Sequence, residues 1–287
     1  MRLVKRVARA VVPRTVRSWV GRPGQSVRWL WADVRARFGF HDRLELRPGW
    51  VVRSHPAAYR LAYWMQVSDP VQACEFDQFV RLCTPGMVLF DVGAHFGVFS
   101  LAAVHYGGPA AVAVAVDPAP LATRVLRYQA GVNGVADRVR VVQAAAAAAA
   151  GRQALVAAGF WAAGYYVAPT ADHPPGERVE VESVSIDDLS RATGLVPTHV
   201  KIDVEGLELG VLRGGAMTFG SSRPPLLFLE LHNDVIRGDG GDPRECLDLI
   251  ASWGFEVRDV YGKLISTEAV LAEPVRIRLL AARPGAV

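Results

Sequence analysis

The chain has 287 residues, of which 51% are hydrophobic and 21% charged; it can bury a substantial core without disulfides or a structural metal, which excludes disorder as its main character. Its three cysteines, Cys74, Cys83 and Cys246, cannot all pair and show no Cys-x-x-Cys spacing, so a disulfide scaffold, a zinc knuckle and a thioredoxin-like site are excluded and a reducing, cytoplasmic setting is expected. The formal charge of +4 is uneven: residues 1–60 hold 14 basic and 3 acidic side chains, the other 227 hold 18 and 25, so the basicity belongs to an arm, and nucleic acid is not an expected partner of the body.

The arm comes first in chain order. Leu3, Val4, Val7, Ala8, Val11 and Val12 share a helical face opposite Arg2, Lys5, Arg6 and Arg9, and Pro13 ends the pattern. Trp19, Trp29, Leu30, Trp31, Val34 and Phe38 follow, with Arg28, Arg35 and Arg37 among them. A basic, aromatic arm of this kind suits peripheral contact of residues 1–40 with an anionic membrane surface, or a solvated arm packed on the body. It has no apolar h-region, so no signal peptide is expected. The uncharged stretch Val92–Val116 is interrupted by His95, His105, Gly107, Gly108 and Pro109 and does not read as a membrane span.

From residue 87 short apolar runs alternate with helix-length segments. Strands are expected at Val88–Val92, Ala111–Val116, Val139–Val142, His199–Val204, Leu226–Leu231, Phe255–Val260 and Val275–Leu280. Helices are expected at Phe96–His105, Leu121–Asn133, Leu207–Phe219 and Pro243–Trp253. Continuous apolar strands separated by helices predict an α/β fold, a Rossmann-like doubly wound sheet of about seven mostly parallel strands. The alanine run at 144–150 reads as a strand tail leading to a turn, and Val156–Arg178 as an excursion that shapes a substrate pocket. The expected division is a basic, partly helical arm at 1–73 and a Rossmann-like domain at 74–287.

Val88-Leu-Phe-Asp-Val-Gly-Ala-His-Phe-Gly97 is a strand running through a glycine turn into a helix. Gly93 and Gly97 let backbone approach a ligand, and Asp117 ends the next strand, where a carboxylate suits the two hydroxyls of a ribose. A dinucleotide fingerprint from Gly93 would need glycines where His95 and Val98 stand, which disfavours a nicotinamide-dependent oxidoreductase. Further on, Lys201, Asp203 and Glu205 alternate with Ile202 and Val204 at a strand end, and Glu230 and His232 end the next strand with the same spacing. Charges grouped there are either an ion-pair network or the floor of an active site, since open α/β sheets bind ligands beyond their strand carboxyl ends.

These blocks resemble the FkbM-type S-adenosylmethionine-dependent methyltransferases. The resemblance spans roughly residues 74–265 and rests on Asp91-Val-Gly-Ala-His-Phe-Gly97, Val116-Asp-Pro118, Asn133, Val184-Ser-Ile-Asp-Asp-Leu189, Lys201-Ile-Asp-Val-Glu-Gly206 with Glu208, and Leu229-Glu-Leu-His232. It implies a class I methyltransferase fold with S-adenosylmethionine as cofactor. Asp91, Gly93 and Gly97 would line its methionine end, His95 would lie beside cofactor or substrate, and Asp117 would hold the ribose. The chain departs from the family where His95 replaces the commoner Asn, Asp117 the commoner Glu, and Ala145–Ala148 a polar pair, so backbone groups must serve adenine recognition. The acceptor it implies is a hydroxyl on a sugar, glycan or polyketide-like small molecule. Removal of the hydroxyl proton calls for a base, with Asp203, His232 and Glu205 as candidate catalytic residues and no metal expected. A non-catalytic membrane-associated protein with a degenerate cofactor pocket is the alternative from another class.

Overall fold

A computed structural model of the chain describes residues 23–56, 58, 69–157, 165–167 and 176–287. The amphipathic helix expected at 2–12, and Trp19, lie outside the described residues. Helix α1 (Pro23–Arg37) leads into a hairpin of β1 (Asp42–Arg47) and β2 (Trp50–Ser54). Strand alternation turns Leu44, Leu46, Trp50 and Val52 inward. Trp50 stacks on Phe76 and His105 and meets Tyr106 edge-on, so the hairpin belongs to the body. Helix α2 (Pro70–Leu82) starts sharply because the Asp69 carboxylate accepts the N–H groups of Val71 and Gln72 and Pro70 occupies its first turn. The expected boundary at residue 73 therefore falls inside a helix.

The alternation then runs β3 (Val88–Val92), α3 (Val98–Tyr106), β4 (Val112–Val116), α4 (Pro120–Val132) and β5 (Val139–Val142). A side sheet follows, made of β6 (Ala145–Ala146), β7 (Gly151–Ala157), β8 (Tyr165–Tyr166) and β9 (Glu177–Val184), in the order β6-β9-β7-β8. Alanine favours helix by propensity, but residues 145 and 146 pair with Ser183 and Val184 and the run then bends toward Gly151; tertiary pairing overrides propensity. The chain continues through α5 (Ile186–Thr193), β10 (His199–Ile202), α6 (Glu208–Arg213), α7 (Ala216–Phe219), β11 (Leu226–Leu231), α8 (Asn233–Gly238), α9 (Arg244–Ser252), β12 (Glu256–Arg258), α10 (Thr267–Ala272) and β13 (Ile277–Ala282). Helix α5 carries a full capping box between Ser185 and Asp188.

The main sheet has seven strands in the order β12-β13-β11-β10-β3-β4-β5. Its pairs are parallel except those of β13, which runs against both β11 and β12. This is the expected Rossmann-like sheet, with apolar cores on both faces. The chain leaves β3 toward β4 on one side and β10 toward β11 on the other, so a crevice opens beyond the carboxyl ends of β3 and β10. The helix expected at Leu207–Phe219 is instead two short ones, because Gly214 lies against the backbone of Ala147 and Gly215 against the ring of Phe219.

Candidate active site

Backbone builds the first half of the crevice. At the end of β3 the N–H groups of Gly93 and Ala94 both reach Val116 O, locking the glycine turn to β4. Gly93 has φ of +80°, and a Cβ on it would overlap the backbone oxygen of Asp203. Gly97 has φ of +77° and caps α3, where a Cβ would run into Leu126. Both glycines are thus required by neighbouring protein, and Gly93 alone of the two lines the cavity. His95 sits at φ of +50°, in the left-handed region that few residues other than glycine enter, and stacks on Phe96. It lines the cavity, and burial pushes its imidazole down to about 4 against the pull of Asp203 and Glu205.

The two acids expected at the cofactor take different positions. Asp91 is 2% exposed and lies outside the cavity wall; its Oδ2 accepts the Ser100 N–H at 3.0 Å and the Ser100 hydroxyl at 2.6 Å, tying β3 to α3. Burial raises its carboxyl to about 6, with the Ser100 bonds opposing. Asp117 lines the cavity. Its Oδ2 accepts the His95 N–H and its Oδ1 the Ala119 N–H, each at 2.8 Å. Burial raises it to about 7 against those two bonds. Each of its oxygens keeps a second lone pair for a hydroxyl donor.

The far wall is formed by Ala145, Ala146, Leu155 and Tyr165. Two methyl groups stand where a polar pair was looked for, and the side sheet supplies Leu155 and Tyr165. The sequence flagged the region around Tyr165 as pocket-forming but no residue in it, because only the pairing of Ala157 with Tyr165 carries the ring to the cavity.

Charged side chains build the second half. Asp203 and Glu205 follow β10 and line the same cavity as Asp117 and Gly93. Glu205 is the second residue held in the left-handed region, at φ of +52°; strain of this kind clusters at functional sites. His232, 1% exposed, directly follows β11, with Nδ1 2.7 Å from Glu208 Oε1 and Nε2 3.0 Å from Glu205 Oε2. Burial alone would lower its pKa, but pairing with Glu205 and Glu208 outweighs burial and holds it well above the ordinary value. The imidazole is therefore protonated at neutral pH, so His232 is no free base in this state.

Beneath this group lies an ion network. Lys201 Nζ is 3.3 Å from Glu75 Oε1, 3.6 Å from Asp203 Oδ2 and 4.0 Å from Glu230 Oε2. Arg278 bridges Glu75 and Glu230 at 3.1 and 2.9 Å, and Arg276 reaches Glu230 at 3.2 Å. Burial opposes the charge on Lys201, and Glu75, Asp203 and Glu230 overcome it. Sheet register sets these pairs, with Lys201 opposite Asp91 and Glu230 opposite Arg278. Glu75 and Arg278 carry no local sequence signal, since each meets its partner only through sheet and helix packing. The strand-end charges thus form both an ion network and a cavity wall, two roles weighed against each other in the sequence.

Comparison with known proteins supplies the remaining findings. The family described as the methyltransferase FkbM domain matches residues 91–257. A ribosomal protein L11 methyltransferase from Pelotomaculum thermopropionicum is 45% identical over 67 residues, 23% of this chain and 20% of that protein, so the chain spans about a fifth of that relative. Among solved structures, an O-methyltransferase from Bacillus cereus in complex with SAH covers 98% of this chain and 96% of its own at 11% identity, with a TM-score of 0.43. A precorrin-6y C5,15-methyltransferase from Geobacter metallireducens covers 75% and 90% at 14% identity, with a TM-score of 0.42.

Proposed function

The chain belongs to the FkbM methyltransferase family, with S-adenosylmethionine as its cofactor, and from that premise we propose that it methylates a hydroxyl on a sugar, glycan or polyketide-like product. The nicotinamide alternative falls with the family assignment. The residues present fit the cofactor: Asp117 faces the cavity with unused acceptor capacity for two ribose hydroxyls, and Gly93 brings bare backbone to the wall. Ala145 and Ala146 give a flat apolar surface suited to a base, leaving polar recognition of its edge to backbone. When bound, the cofactor supplies an electrophilic methyl group.

The observation that carries the reading is that Asp203 and Glu205 lie on the same cavity wall system as Asp117. An alcohol is a poor nucleophile until its proton is shared with a base. Asp203, with a side chain 26% exposed, can accept that proton and orient the acceptor oxygen. Lys201 and His232 hold Asp203 and Glu205 in place by charge. Glu208 fixes the His232 ring from behind. Asp203→Asn should cut turnover on an identified acceptor by about 10²–10⁴-fold while S-adenosylmethionine affinity, read by calorimetry, changes little. Wild-type turnover in Asp203→Asn would return this wall to a purely structural role and favour a non-catalytic protein.

We further propose that the basic arm holds the protein against an anionic membrane surface. In support, Leu30, Trp31, Phe38 and Phe40 are all exposed, with Arg35, Arg37 and Arg43 exposed among them. Among the described residues no helix is long and apolar enough to cross a membrane. Deleting residues 1–40 should abolish salt-sensitive co-sedimentation with phosphatidylserine vesicles and leave cofactor affinity unchanged. Full-length protein that ignores such vesicles at low salt would overturn the proposal.

A further inference from the structure

Beyond the acids and the glycine turn, the cofactor cavity is lined by apolar groups, among them Pro118, Ala145, Ala146, Leu155 and Leu207, and by the ring of Tyr165. Strand alternation explains why that ring is there. Tyr165 pairs with Ala157 across β7 and β8, and Leu155 lies two residues before Ala157, so Tyr165 and Leu155 share one face of the side sheet while Tyr166 turns to the other. Tyr165 also packs against a small apolar cluster that holds Phe96, Ala119, Leu121 and Val125. Two residues on, the Val167 N–H donates to Glu205 O at 3.3 Å. The ring is thus fixed at the wall by side-chain packing and by main chain. Its phenol is raised above the ordinary value, first by burial and then by the Asp117 carboxylate, so it is neutral at working pH and stands near the acid assigned to the ribose.

The other polar side chains of the lining are committed elsewhere. Asp117 takes two backbone N–H groups and keeps its remaining capacity for two hydroxyls. Asp203 pairs with Lys201, Glu205 pairs with His232, and His95 stacks on Phe96. Among the described lining residues, the Tyr165 hydroxyl apart, no such side chain is left to aim a donor or an acceptor at the edge of a base.

We infer that the ring of Tyr165 is the contact that selects the cofactor's base, by stacking on its face, and that the cavity reads a flat aromatic base with little regard to the donors and acceptors on its edge. Stacking tolerates a changed edge because every base has a π-face, and truncating the aromatic partner costs about 5–150-fold in affinity. An edge contact to backbone exchanges one hydrogen-bond partner for another and is worth about 2–12-fold. A side chain built to hydrogen-bond the edge would instead reject a swapped pattern by about 10⁴-fold or more. The inference rests on S-adenosylmethionine as the cofactor.

Full-length protein is titrated by calorimetry with S-adenosylhomocysteine, with S-inosylhomocysteine, which reverses donor and acceptor at the base edge, and with S-ribosylhomocysteine, which has no base. In the wild type the inosyl ligand should bind within about tenfold of the adenosyl one, and the ribosyl ligand should be weaker than the adenosyl one by at least about fivefold. Tyr165→Ala should weaken both base-bearing ligands by about 5–150-fold and leave the ribosyl ligand unchanged. Tyr165→Phe keeps the ring and should bind all three like the wild type. Rejection of the inosyl ligand beyond about tenfold reveals a reader of the edge and overturns the inference. So does equal weakening of all three ligands in Tyr165→Ala, or a Tyr165→Phe variant as poor as Tyr165→Ala. The wild-type series decides even where Tyr165→Ala fails to fold. Unchanged S-adenosylhomocysteine affinity in Tyr165→Ala overturns the role of Tyr165 and leaves the methyltransferase reading standing, whereas wild type that binds none of the three overturns both.

Discussion

The two halves of the crevice are built on different physical principles. Around Gly93 and Asp117 the wall is made of backbone: positive-φ turns, N–H groups delivered to a carboxylate, and small apolar side chains. Around Asp203 and His232 it is made of buried charge, held by partners from α2, β10, β11 and β13. Backbone walls depend on shape and tolerate little extra volume; charged walls depend on balance and tolerate little loss of a partner. The first kind suits a cofactor of fixed form. The second suits a reacting group whose charge changes during the reaction.

The strongest way to break the charged half is Lys201→Met. It removes the ammonium between Glu75, Asp203 and Glu230 and leaves buried carboxylates uncompensated, so unfolding by denaturant should show a loss of about 3–5 kcal/mol. Adding Glu75→Gln should recover part of that loss; if it makes matters additively worse, the cluster is not a balanced unit. Next in size, Gly93→Ala tests the backbone half. The new Cβ overlaps Asp203 O and the turn is forced off its φ, with about 1–3 kcal/mol of strain, and cofactor affinity should fall more than stability does. Unchanged affinity in the folded variant would mean the turn does not meet the cofactor.

Asp117→Ala should weaken S-adenosylmethionine by about 1.5–3 kcal/mol, the worth of hydrogen bonds to a charged group. Asp91→Asn should cost cofactor affinity less, since Asp91 bonds Ser100 and lies off the cavity wall. The pH dependence sharpens the point. Burial holds the Asp117 carboxyl at about 7. Lowering pH from 8 to 6 protonates it and removes a charged acceptor, so wild-type affinity should fall with pH, while the Asp117→Ala variant should be flatter over that range. The smallest effect is expected from His95→Asn. Asn tolerates the left-handed region better than His, and the lost contact is a ring stacked on Phe96. Thermal stability and cofactor affinity should stay near wild type; a large loss of affinity would give the His95 ring a direct cofactor contact.

The sheet was legible because its strands are continuous apolar runs with glycines and capping residues between them. All seven expected strands agree with the structure within two residues at each end, with β10 and β12 trimmed. The strand-end charges were legible as a group because Lys201, Asp203, Glu205, Glu230 and His232 sit at period-two spacing on adjacent strands. Their individual states were not. An isolated histidine near its ordinary pKa looks like a base, and only the approach of Glu208 from α6 and Glu205 from its loop makes it an imidazolium. In the sequence Asp91 and Asp117 both read as cofactor ligands, at the methionine end and at the ribose, because each stands at a strand end ahead of a helix, yet Ser100, in the first turn of α3, claims the first of them.

By itself the sequence determined the alternation of strands and helices, the glycine turn after β3, the acid after β4 and the charged strand ends, because each depends on residue order and on periods of two or 3.6. The tertiary structure decided the rest. It showed that Gly97 is required by Leu126, that the alanine run pairs with β9, and that Tyr165 reaches the cavity from the side sheet. It also brought Glu75 and Arg278 to Lys201 and Glu230. These contacts join residues far apart in the chain, and their energies come from burial and charge pairing, which exist only once the sheet register and helix packing have closed around them.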